Sequence, residues 1–125
     1  MKQHATGTFD VQLTPQPTAD GLGRLAIAKQ FHGDLMANSA GEMLSAATEV
    51  EGSAAYVALE WVSGTLHGRR GAFALQHTGV MARGVPSLTI NVVPDSGRDE
   101  LAGLAGTLTI GEGHSYDFEY TLGES

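Results

Sequence analysis

Apolar residues recur at every second position through most of this chain, the period of a strand whose two faces meet different surroundings. Phe9, Val11 and Leu13 form the first such set, and Leu25 and Ile27 with Phe31 form the second. Leu35 to Thr48 reads as a long third strand with a bulge at Gly41, and Ala54 to Leu66 as a fourth. Gly68-Arg69-Arg70-Gly71 predicts a turn into Phe73, Leu75 and His77, and Gly84 a second turn ahead of Leu88, Ile90 and Val92. Thr107 to Ile110 and His114 to Leu122 complete the set, joined by Gly111-Glu112-Gly113. The sole helical candidate is one short turn near 96–102, where Ser96 is placed to cap and Gly103 to stop. Eight short strands with no room for crossover helices imply antiparallel pairing. The expected fold is all-β, a single eight-stranded antiparallel β-barrel over residues 1–125, with a two-sheet sandwich as the alternative.

Composition narrows the class further. There are 17 glycines in 125 residues, about twice the usual share, and they punctuate strands rather than form a linker. Cysteine is absent, which removes disulfides, thiolate metal ligands and a Cys nucleophile. A net charge of −7, with no basic cluster beyond Arg69-Arg70, argues against nucleic acid and anionic membranes as partners. The first residues hold no apolar run of signal-peptide type, and Ala54 to Leu59 is too short to cross a bilayer, so a cytoplasmic protein is expected. A small apolar or neutral molecule is the easiest ligand to accommodate.

Several short motifs occur in a fixed order: Phe31-His32-Gly33-Asp34-Leu35, Gly41-Glu42-Met43, Gly52-Ser53-Ala54-Ala55-Tyr56, Gly64-Thr65-Leu66-His67-Gly68 and Val93-Pro94-Asp95-Ser96-Gly97. Together, over Lys29 to Leu122, they resemble the small bacterial proteins of domain of unknown function family 3224, whose fold is placed beside the allene oxide cyclase barrels. Trp61 and Asn38 depart from the pattern, which favours a polar or basic residue and a glycine there. The resemblance implies a barrel of that superfamily. Its cyclase relatives fold a reactive substrate in a shaped cavity without a cofactor. No allene oxide cyclase motif matches residue by residue, so no site is carried over.

The candidate chemistry comes from strand faces. In the fourth strand Tyr56, Ala58, Glu60 and Val62 share one face and Val57, Leu59, Trp61 and Ser63 the other. If the first face is interior, burial raises the Glu60 pKa and makes it a general acid or base; if the second is, Glu60 is solvated. His77 follows Phe73 and Leu75 and is either a proton carrier or a hydrogen-bonded core histidine, while Gln76 faces the other way and becomes a ligand contact if small and polar residues line the lumen. Glu42 either orients His77 or a substrate, or bonds a bulge amide. Lys29 either pairs with one of these carboxylates or snorkels at the rim. Tyr116, Phe118 and Tyr120 read as core aromatics that could also stack on a ligand. The histidines show no metal-ligand spacing, so neither metal nor cofactor is expected.

Three functions follow from these features. The first is a cofactor-independent isomerase, cyclase or lyase in which Glu60 or His77 moves a proton and Tyr56 positions the substrate. The second is a lipocalin-like ligand-binding barrel with Glu42, Tyr56, Gln76, Tyr116, Phe118 and Tyr120 as contacts. The third is a filled barrel that serves as a homo-oligomer or interaction module. Fold alone does not choose among them.

Overall fold

The computed structural model describes residues 2–19 and 21–123. In chain order the strands are β1 (Gln3–Pro15), β2 (Gly23–Gly33), β3 (Leu35–Ala47), β4 (Ala54–Leu66), β5 (Arg69–Ala82), β6 (Val85–Val92), β7 (Arg98–Asp99), β8 (Leu104–Ile110) and β9 (Ser115–Leu122). All pairings are antiparallel, and the additional β4–β5 pairing closes the sheet into an eight-stranded barrel, with β7 as a two-residue addition beside the start of β5. The first and last barrel strands meet at Gln3↔Tyr120 through Thr8↔Ser115, so the two ends of the chain seal the wall. Closure pairs every barrel strand on both sides, most thinly at β6–β8, where the register holds the single pair Asn91↔Thr107.

The alternation seen in the sequence becomes inside and outside. Phe9, Ile27, Phe31, Leu35, Val62, Phe73, Leu75, Ile90 and Phe118 point inward and are buried. One end of the lumen is filled. Phe73 stacks on Phe118 at 5.7 Å, Phe31 meets Tyr116 edge-on at 5.7 Å, and Leu35, Leu66, Leu101 and Leu104 close the bottom. At the other end the same inward parity continues, yet Leu13, Met81 and Leu88 are exposed, which marks an open mouth.

Three local expectations need correction. No helix forms at 96–102. Asp95 and Asp99 adopt left-handed φ values of 63° and 58°, which interrupt a helix, and Leu101 drops into the bottom of the barrel. The Ser96 hydroxyl accepts from the Ala74 backbone N–H at 3.0 Å instead of capping a helix. Among the described residues the single helical element is a 3-10 turn at Glu112–His114, and there His114 stacks on Phe9 at 5.0 Å. Gly41 is not a bulge, since the β3–β4 register runs unbroken from Leu35↔Leu66 to Ala47↔Ala54. The β4–β5 turn is His67-Gly68, with φ values of 48° and 81°, so Arg69 and Arg70 already belong to the strand. Two positive-φ residues between antiparallel strands match the twist of a hairpin, and Arg83-Gly84 repeats the pattern between β5 and β6.

Candidate functional site

Four adjacent strands each send one polar side chain into the lumen. Lys29 on β2 lies opposite Ser39 on β3; Glu60 on β4 and His77 on β5 lie diagonally along the barrel's tilt. Their side chains converge on the Glu60 carboxylate. Lys29 Nζ donates to Oε2 at 2.9 Å, His77 Nε2 donates to the same oxygen at 2.5 Å, and Ser39 Oγ donates to Oε1 at 2.6 Å. The ammonium also lies 5.2 Å from the Phe9 ring centroid and 5.8 Å from that of Phe31. Gly41 lets β3 lie close against β4 at Glu60, because a Cβ there would come within 2.1 Å of Leu59 O and 2.7 Å of the Glu60 Cβ.

This arrangement corrects the expectation for Glu60. Burial does press its pKa upward, but the His77 hydrogen bond, the Lys29 charge and the Ser39 hydroxyl together outweigh it and hold the carboxyl at about 2. Glu60 is therefore a fixed anion at neutral pH and not a general acid. An ionised partner can only accept, so Nε2 of His77 carries the proton of this bond. Nδ1 has no hydrogen-bond partner among the described residues, and no fully buried side-chain nitrogen or oxygen there is left unpaired, so this atom touches accessible space.

Toward the mouth, Ser45, Tyr56, Gly79 and Leu88 occupy one continuous register row across β3 to β6. The Tyr56 ring lies over Gly79, where a Cβ would sit 2.2 Å from it. Burial raises the Tyr56 pKa, and its hydroxyl makes no hydrogen bond among the described residues. With Met43 and Met81 these residues line an open cleft of about 480 Å³ at the barrel mouth. Glu60 and His77 lie outside this set of lining residues.

The other candidates separate from the cluster. Glu42 is on the outer wall, bonded to Arg24 at 2.6 Å, and Gln76 is also outside; neither meets His77. Tyr116, Phe118 and Tyr120 are packed in the closed end. The Tyr116 hydroxyl accepts from Leu35 N–H at 3.0 Å and donates to His32 O at 2.9 Å. The Tyr120 hydroxyl bonds His67. His67 stands 3.6 Å from Asp34, whose carboxylate accepts from the Thr6 N–H. The His-Gly motifs thus tie two hairpin turns to β1 and β9. No group of three or more metal-ligating side chains occurs among the described residues. Sequence reasoning gave Ser39 no role at the site, and only the register, which places it beside Lys29, could have supplied one.

A family model described as a protein of unknown function, DUF3224, matches residues 5–121. The chain belongs to the DUF3224 family. It is also similar to a DUF3224 protein of unknown function from Shewanella oneidensis MR-1, known from a crystal structure. The two are 47% identical, each chain is covered over 100% of its length, and the TM-score is 0.93. No curated protein matches the chain. Among the described residues no helix is long and apolar enough to cross a membrane.

Proposed function

We propose that this DUF3224 barrel binds a small, largely apolar molecule at its mouth, with the Tyr56 hydroxyl as the orienting polar contact. The observation that carries the reading is the cleft of about 480 Å³, where Met43, Met81, Pro86 and Leu88 surround the unpartnered Tyr56 hydroxyl, with Ser45 and Ser87 as further polar positions on the lining. Its size lies in the range of small-molecule sites, and a few polar groups in a largely apolar wall are the usual means of fixing a ligand's orientation. The Lys29–Ser39–Glu60–His77 cluster supports the floor and holds its shape.

A second reading rests on His77. Its Nδ1 faces accessible space with the Glu60 carboxylate behind the ring, the placement of a general base when the ring is neutral. A ligand atom reaching past Tyr56 could there lose a proton, the chemistry of a cofactor-independent isomerase or cyclase. The closed eight-stranded architecture supports the kinship with cyclase barrels. Binding stands first because the cleft is lined by Tyr56 and not by His77.

Titration with the neutral fluorophore N-phenyl-1-naphthylamine tests the binding reading. Leu88→Arg places a charge in the mouth and should weaken binding at least about tenfold. Leu59→Glu on the outer wall should leave it unchanged. No binding by the native protein, or loss only in the Leu59 variant, would overturn the mouth as the site.

A further inference from the structure

The outer wall is divided by strand. On β1 and β9 the outward positions are polar or charged, among them His4, Thr6, Asp10, Gln12, Asp117 and Glu119. On β3 and β4 the same positions include Leu44, Val57, Leu59 and Trp61, with Ala40 opposite Trp61 and Glu42 opposite Leu59. Leu59 is 59% exposed, Val57 52% and Trp61 46%, and they border an open groove of about 1040 Å³. Apolar surface gathered in one place on a soluble domain marks an interaction site.

We propose that this β3–β4–β5 face is covered by a second copy of the chain in a two-fold dimer. The charges around it select that occupant. Arg98 lies over Trp61, its guanidinium 4.3 Å from the ring centroid, and makes no ion pair with a carboxylate among the described residues. On the opposite side of β4, Glu42 uses only Oε1 on Arg24 and leaves Oε2 unused. In a two-fold interface a contact from residue i to j is repeated from j to i. An axis lying in the interface over Trp61 therefore brings each Arg98 to the other copy's Glu42. The centre would be Trp61, Leu59 and Val57 packed on their own equivalents, with paired charges at the border. Elsewhere the molecule is acidic, with a net charge of −7, and two copies repel; this neutral, apolar face is where they can approach.

Light scattering during gel filtration tests the proposal, with thermal unfolding confirming that each variant is folded. The native protein should show twice the 13.0 kDa chain mass. Leu59→Glu should yield the single-chain mass. Arg98→Glu and Glu42→Arg should each raise the dissociation constant at least about tenfold, and the double variant should restore most of the loss. A native protein that stays monomeric, whether bare or with a different protein on this face, overturns the proposal. A dimer indifferent to Leu59→Glu, or a double variant no better than its parents, overturns it equally. Mouth binding of the fluorophore is a separate measurement, so either conclusion can fail alone.

Discussion

Glu60 shows how one residue governs a neighbourhood. Its carboxylate is fully enclosed and bears two donors on Oε2 and one on Oε1. Removing the anion alone strands a buried ammonium, so Glu60→Gln should cost about 3–5 kcal/mol in urea unfolding, and Lys29→Met/Glu60→Met should recover much of that loss. A double variant as unstable as the single one would show that packing, not charge, holds the site. The pH dependence has a definite sign. The folded-state pKa of about 2 lies below the ordinary value of 4.5, so the stabilisation is present above pH 4.5 and is lost as pH falls toward 2. Acid titration of Glu60→Gln should lack that component. Of this cluster, Glu60, His77 and Lys29 were each recognisable in the sequence as polar residues in apolar company. Their meeting was not, because it depends on the register of four strands. Nor could the sequence decide which face of β4 is interior: Val57, Leu59 and Trp61 are as apolar as a core face, and only the closed barrel shows that they lie outside.

At the scale of the element, strands and their order were legible because period-two alternation survives on nearly every strand, with glycine at the turns. The 96–102 segment was misread because a Ser followed by acidic residues and a Gly carries helix-end signals. The attachment of Leu101 to the core and the left-handed Asp99 overrode them. Turn chemistry now gives a prediction. Arg83 sits at φ 49° ahead of Gly84, a position that favours Asn, so Arg83→Asn should raise the melting temperature by a few degrees. Conversely, Gly68 has φ 81° and open space around it, so Gly68→Ala should cost about 1 kcal/mol through backbone strain alone. An unchanged melting temperature in the Gly68 variant would mean that the turn relaxes. The β6–β8 seam is held at Asn91↔Thr107, where the two side chains also bond at 2.9 Å. Hydrogen exchange should therefore open this seam before the continuous β3–β4 ladder.

For the whole molecule, the wall joins residues far apart in sequence, and β1 must find both β2 and β9 before the barrel closes. Such topologies fold slowly, in milliseconds to seconds, because distant loops close before their contacts form. Stopped-flow refolding should give a phase in that range. Microsecond folding would indicate that a part of the sheet is stable before closure.

The Glu60 cluster also lies between two regions of unlike character, a tightly packed end and an open mouth. The residues that hold the fold and the residues that shape the proposed site are thereby different ones. Substitutions at Met43, Ser45, Tyr56 or Leu88 can reshape the cleft while the aromatic packing around Phe73 and Phe118 is left untouched. On the proposed binding reading, a lineage, or a designer working from this scaffold, would exchange one small molecule for another with a handful of changes and keep the same folded wall.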